Sequence, residues 1–323
     1  MCEFISFVVC EDGRLLANNL SAHEGIEALH KLKPDSYREC EWTGQSEDTL
    51  TVRLEEGETR GQWLAPVLSR FSTRLELLNW FLAHREARGK SLIFEGIESA
   101  EGIVFPESVG GSLNLNGLTS AEGLRLPKKV GGTVYLRSLR SAEGLRLPKK
   151  VGGWLDLCGL TSAKDLKLPE TVGGSLDLNG LTSAEGLRLP ATVGGSLNLF
   201  GLTSAEGLKL PETVSGWLDL RGLMSAKGLK LPGTVGGWLD LRGLTSAKDL
   251  KLPETVGGWL DLRGLTSAKD LKLPETVGGG LDLSGLTSAE GLVLPKTVEG
   301  DLYLCGLPFS EREAIKAQGY KVY

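Results

Sequence analysis

The sequence predicts a mainly β protein. It reads as a solenoid of about eleven 21-residue coils, preceded by a small N-terminal α+β domain and closed by a C-terminal helical cap. Three observations carry this. Prolines recur at 106, 127, 148, 169, 190, 211, 232, 253, 274 and 295, a spacing of 21. The residues between them repeat as L-x-L-P-x-x-V-G-G-x-L-x-L-x-G-L-x-S-A-x-G, and the L-x-L after the glycine pair occurs eleven times, from residues 92–94 to 302–304. Within each unit, leucines alternate with polar residues at the period of a β-strand, and no helical stretch intervenes. The boundaries follow: 1–90 for the N-terminal domain, 91–307 for the array and 308–323 for the cap.

In the first ninety residues, "FISFVV", "EDGR" and "LLA" read as strand, turn and strand. Ser21 with Glu24 starts a helix over 21–32, and "YRECEW" with "TLTVRLE" forms a second hairpin. A helix over 62–88, with Thr73 and Glu76 as an internal restart and Gly89 as its stop, completes a ββαββα order.

Each coil of the array divides into two alternating segments. In "PETVGGWLDLR" (253–263), Leu260 and Leu262 share one face, and Trp259, Asp261 and Arg263 share the other. "LKL" (271–273) reads as the second strand, stopped by Pro274. The inward set is then Val256, Leu260, Leu262, Leu265, Ala268, Leu271 and Leu273. One coil cannot enclose these side chains alone, so coils must stack. The second glycine of each V-G-G never varies from Gly111 to Gly300, and the residue four before each proline is always Gly or Asp. Both types tolerate positive φ, so this second column predicts a left-handed corner. In the cap, Ser310 and Glu313 form an S-x-x-E capping box, Gly319 ends a short helix and "YKVY" is a last strand.

The unit "LPETVGGWLDLRGLTS" resembles the short bacterial leucine-rich repeats with their LPxxL and LxLxxN patterns. Leu244, Leu265 and Leu286 stand where that family places an asparagine ladder. That departure leaves a right-handed β-helix, or a straighter solenoid similar to receptor L-domains with their VxGxLxL pattern, beside the horseshoe. The opening "MCEFISFVV-x-x-DG" is similar to N-terminal modules of bacterial and phage proteins that carry variable repeat arrays. That resemblance implies a role in phage–host conflict, including anti-defence.

The net charge of −5 gives no global attraction for nucleic acid or anionic membrane. No run of about 18 apolar residues predicts a membrane span. The apolar start carries Glu3 in place of a basic segment, unlike a signal peptide. Five widely spaced cysteines (Cys2, Cys10, Cys40, Cys158 and Cys305) with no C-x-x-C suit reduced thiols in a cytoplasm.

Outward columns are the candidate sites. Trp154, Trp217, Trp238 and Trp259 share one place in their coils, beside Asp219, Asp240 and Asp261 and Arg221, Arg242 and Arg263. Tryptophan and arginine are the residue types that binding hot spots favour, so this column is the expected docking face for a protein partner. The same pattern also fits indoles that cover one another and Asp–Arg pairs that neutralise their own ladder. A second column is basic: Arg125, Arg146, Lys167, Arg188, Lys209, Lys230, Lys251 and Lys272. It suits a stripe for phosphate or an acidic partner, or a solvated face, since residues from 91 on carry 25 basic and 26 acidic side chains. The Asp column could imitate a nucleic-acid backbone, although interleaved arginines oppose that.

Catalytic signals are weak. His23, His30 and His84 lie in the first domain without metal-ligand spacing, so no metal and no cofactor is expected. Cys2 would be an N-terminal nucleophile if Met1 were removed, with the solenoid as targeting arm, but nothing nearby activates it. The sequence therefore reads as a cytoplasmic, non-enzymatic protein-binding solenoid, with the Cys2 enzyme and the nucleic-acid-mimicking or nucleic-acid-binding solenoid as alternatives.

Overall fold

The computed structural model describes residues 91–94 and 97–323, the backbone of four strands before them, and Glu76 and Asn79. The four strands are Ile5–Cys10, Leu15–Leu16, Tyr37–Trp42 and Leu50–Val52. They form one antiparallel sheet in the order Leu15–Leu16, Ile5–Cys10, Tyr37–Trp42, Leu50–Val52. Both expected hairpins are present. The helix expected over 21–32 lies outside the described residues, and of the one over 62–88 only Glu76 and Asn79 are described, both helical.

From residue 91 the chain is a parallel β-solenoid. Two sheets run its length, one of ten strands from Ser108–Val109 to Thr297–Val298 and one of eleven from Leu92–Ile93 to Leu302–Tyr303. Each strand pairs with the strand one repeat away, as in Leu239 with Leu260 and Val235 with Val256. In-register stacking sets like on like, so every sequence column becomes a physical line along the molecule.

The core is built from such lines. Val256, Leu260, Leu262, Leu265, Ala268 and Leu271 are buried with most of their equivalents in the other coils, whereas Ala289, Leu292 and Val298 near the C-terminal end are half-buried. Two expectations need correction. Leu273 is only half-buried at the edge of the core, and Pro274 is buried beside it. The second strand is not "LKL" but Thr276–Val277, the pair just after the proline. The segment before the proline is extended, but among the described residues no backbone hydrogen bond joins it to an adjacent coil. Proline, which has no N–H, therefore sits ahead of a ladder rather than at its end.

The corner prediction holds in all ten coils. Gly102, Gly123, Gly144, Gly186, Gly207, Gly228 and Gly291 have φ between 71° and 77°, and Asp165, Asp249 and Asp270 between 62° and 65°. Each closes a four-residue turn, as where the Leu271 N–H donates to the Ala268 carbonyl at 3.0 Å. Positive φ at the third position is what restricts the column to Gly and Asp.

The invariant second glycine has a different cause. A Cβ at Gly195 would lie 2.8 Å from the Gly174 carbonyl carbon and 2.9 Å from the Ser175 nitrogen. The coils approach too closely there for any side chain.

Both ends of the array are tied down. The Asn79 Nδ2 donates to the Gly102 carbonyl and its Oδ1 accepts the Val104 N–H, each at 2.8 Å. At the other end the helix Phe309–Lys316 follows Pro308, which sets the entry at φ −53° and ψ 147°. The expected capping box is absent: Ser310 lies inside the helix, and the cap position makes no side-chain bond. Glu311 instead accepts the Ala289 N–H at 2.6 Å, and the Tyr320 hydroxyl donates to the Pro295 carbonyl at 2.7 Å. Gly319 turns the chain at φ 98°, and Val322 then pairs in parallel with Leu302. The expected last strand is thus present as a single bridge.

Gly195→Ala and Gly207→Asp separate the two glycine roles. The first should cost about 1–3 kcal/mol or more through backbone overlap. The second should stay within about 1 kcal/mol, because Asp already adopts this corner in three coils. Urea midpoints of the two variants decide the point.

Candidate functional site

The outward face of the eleven-stranded sheet carries three parallel lines two residues apart. In the first line, five of the eleven coils place Ser or Thr, and each hydroxyl serves the next coil. Ser91 Oγ accepts the Ser112 N–H, Ser112 Oγ accepts the Thr133 N–H, Thr133 Oγ1 accepts the Trp154 N–H, and Ser196 Oγ accepts the Trp217 N–H, at 2.9–3.2 Å. Trp154, Trp217, Trp238 and Trp259 replace that hydroxyl with an indole. The N–H groups of Ser175, Trp238, Trp259 and Gly280, one coil on, find no acceptor among the described residues.

The indoles are not alike in their surroundings. Trp217 and Trp238 stack at 5.1 Å with planes 16° apart, and Trp238 meets Trp259 at 6.1 Å and 47°. Gly280 leaves room for the Trp259 ring, whose Cζ3 would lie 2.7 Å from a Cβ there. Trp259 crosses that gap to Tyr303 at 5.5 Å, and Tyr303 stacks on Tyr323 at 5.6 Å. Five rings therefore form one continuous stripe. Trp154, several coils away, has no aromatic neighbour among the described residues. Trp154, Trp217 and Trp238 each remain more than half exposed.

The second line is the Asp column. Alternation puts it on the same face as the tryptophans, yet its carboxylates are largely covered. The Asp219, Asp240 and Asp261 side chains are only 15%, 17% and 7% exposed. Each Oδ1 accepts the N–H two residues on, as Asp261 does from Arg263 at 3.2 Å. Asn114, Asp156, Asp177, Asn198 and Asp282 make the same bond, so the column caps the turn after the strand. The Asx ladder of this coil lies on the strand, two residues after the first line and away from Leu244, Leu265 and Leu286.

The third line supplies the cations. Arg242 and Arg263 hold their own coil's Asp240 and Asp261 through Nε and Nη2, the shortest contact being 2.6 Å. Arg221 holds Asp219 in the same way. Each also reaches the next coil's carboxylate: Arg221 to Asp240 and Arg242 to Asp261 at 3.8 Å, and Arg263 to Asp282 at 3.4 Å. Hydrogen bonds donated to Asp219 and Asp261 push the Arg221 and Arg263 guanidinium pKa values further up. Arg221 also lies over the Phe200 ring at 4.8 Å. Phe200, Tyr303 and Tyr323 were not singled out from the sequence. Phe200 sits in the arginine line and Tyr303 in the aspartate line, so neither follows the tryptophan period.

Asp177 shows what the column costs without a cation. Residue 179 of its coil is Asn, and burial, followed by Asp156 nearby, raises the Asp177 pKa above its ordinary value. Burial also pushes the Cys158 thiol up to about 11, which makes it a poor nucleophile. No group of three or more His, Cys, Asp or Glu suited to a metal occurs among the described residues. Cys2, His23, His30 and His84 lie outside them. No helix among the described residues is long and apolar enough to cross a membrane. Comparison with protein-family models, curated proteins and solved structures gives no match for this chain.

Two substitutions test this arrangement. Trp154→Ser restores the hydroxyl for the Ser175 N–H. Stability should stay within about 1 kcal/mol of wild type, against the 3–5 kcal/mol typical of losing a core tryptophan. Asp177→Asn keeps the turn-capping oxygen, as Asn114 and Asn198 do, and removes a carboxylate that burial disfavours. A carboxyl with a raised folded-state pKa opposes folding once ionised. The penalty is absent below its unfolded value and complete above its folded value. Asp177→Asn should therefore raise the melting temperature at pH 7, with the gain vanishing as the pH falls below the ordinary carboxylate range.

Proposed function

We propose that this chain is a non-catalytic recognition protein whose solenoid docks a protein partner on the aromatic stripe. The observation that carries this reading is the exchange of Ser or Thr for Trp. Each such Trp removes an acceptor from the next coil's N–H and leaves a large apolar side chain more than half exposed at residues 154, 217 and 238. Folding alone favours the hydroxyl, which eases the stacking of coils. The contact residues on this reading are Trp154, Trp217, Trp238 and Trp259, with Phe200 and the free edges of Arg221, Arg242 and Arg263. Asp219, Asp240 and Asp261 hold the arginines in place from beneath.

The unpaired thiols of Cys158 and Cys305 are compatible with a cytoplasmic setting. The resemblance of the opening segment to phage and bacterial modules supports a part in phage–host conflict, as an inhibitor or sensor acting by occlusion. The coil is best read as leucine-rich-repeat-like, with its Asx ladder moved onto the strand.

A triple variant, Trp217→Ser with Trp238→Ser and Trp259→Ser, tests the reading. Lost ring contacts and regained hydroxyl acceptors are each worth about 0.5–1.5 kcal/mol, so stability should change little. Affinity capture with wild type should retain a protein that the folded triple variant loses. A triple variant that melts far below wild type makes the stripe a folding element. A folded variant that captures the same partner as wild type removes the stripe from recognition.

A further inference from the structure

We propose that the basic line from Arg125 to Lys272 is a second docking strip, on a different part of the coil from the aromatic stripe, and that it takes an extended acidic peptide segment of a partner protein. The line runs through eight successive coils, and all eight side chains are exposed. None makes a hydrogen bond or ion pair among the described residues, although ion pairs form elsewhere on the array. Lys128 holds Glu107 at 2.6 Å and Lys296 holds Glu275 at 3.2 Å. The carboxylates beside the line, Glu170, Glu212, Glu254 and Glu275, make no ion pair with it among the described residues.

Copying of a coil does not account for this line. Its side chain changes between Arg and Lys, as at Arg146, Lys167 and Arg188, while its charge does not. The exposed columns beside it do change sign. Three residues earlier stand Glu122 and Glu185 but Lys164 and Lys227, and three residues later stand Lys149 but Glu170. Like charges in adjacent coils repel, so an unbroken positive line opposes folding and needs another reason. It ends at both sides in exposed valines, Val104 and Val293, which occupy the same place in the first and last complete coils.

The shape of the line selects the occupant. Seven coil steps of about 4.8 Å make a single-file row about 34 Å long, which an extended peptide of about ten residues spans. The columns three residues to either side mix carboxylates with lysines, so unbroken positive charge is confined to a single file, too narrow to match a broad anion such as a duplex or a lipid surface. No aromatic side chain lies in the line to stack a base, as single-stranded nucleic acid requires. A narrow chain of carboxylates meets the lysines and arginines without either obstacle. This strip stands or falls independently of the aromatic stripe.

Fluorescence anisotropy of a labelled ten-residue polyglutamate against the full chain tests the proposal. Binding is expected at about 10 mM salt and should weaken by at least about tenfold at about 150 mM, where the Debye length falls to about 8 Å. Lys209→Gln, Lys230→Gln, Lys251→Gln and Lys272→Gln together should weaken it by about tenfold or more at low salt. The matched flank variant, Lys164→Gln with Lys227→Gln, Lys248→Gln and Lys269→Gln, should stay within about threefold. All eight positions are exposed, and circular dichroism should show both variants folded. Equal loss in the two variants would reduce the effect to net charge and overturn the proposal. So would absence of binding at low salt, or tighter binding of ten-residue oligothymidylate or of anionic phospholipid vesicles than of the peptide.

Discussion

Backbone hydrogen bonds between residues one repeat apart hold every other feature of this solenoid in place. Two parallel ladders impose the same requirement on each coil: its backbone must lie at bonding distance from its neighbour along the whole strand. Leucine lines fill the interior because an identical neighbour above and below completes each side chain's packing. The second glycine of V-G-G is compulsory because the coils touch backbone to backbone there. The corner column admits only Gly and Asp because the turn that returns the chain to the ladder needs positive φ. Val322 occupies backbone groups that a further coil would otherwise meet, and at the other end Asn79 ties down the first corner through Gly102 and Val104.

The same stacking turns the surface into lines, and the lines differ in how well they satisfy themselves. The Asp–Arg line is closed chemically: each carboxylate caps a turn, and each arginine joins two coils. The aromatic line is closed only in part. Its rings cover one another from Trp217 to Tyr323, yet they displace the hydroxyls that serve the backbone elsewhere. The basic line is open throughout. Function is therefore sought where a line departs from what folding favours, in the indoles and in the unpaired cations.

Much of this was legible in the repeat. The period, the leucine lines and the left-handed corner follow from comparing coils with one another, since a column that never changes exposes its own constraint. The second strand was misplaced because "LKL" and "TV" both fit an extended segment; periodicity does not say which one lies close enough to the next coil to bond. The capping box was misassigned for a related reason. Ser310 and Glu313 have the right spacing, but Pro308 begins the helix earlier, and the acidic side chain that matters, Glu311, is drawn to Ala289 of the preceding coil.

The sequence by itself determined a 21-residue parallel coil, its inward face and the order of its outward columns, because each of these is a property of one period. Only the tertiary structure decided which outward residues are accessible. Asp261 and Trp238 alternate on the same strand face, yet one is buried beneath an arginine and the other is half exposed. Tyr303 and Tyr323 joined the stripe only because Gly280 leaves a gap that the Trp259 ring crosses. Exposure depends on the length and direction of side chains from neighbouring coils, and those distances belong to the stack and not to any single repeat.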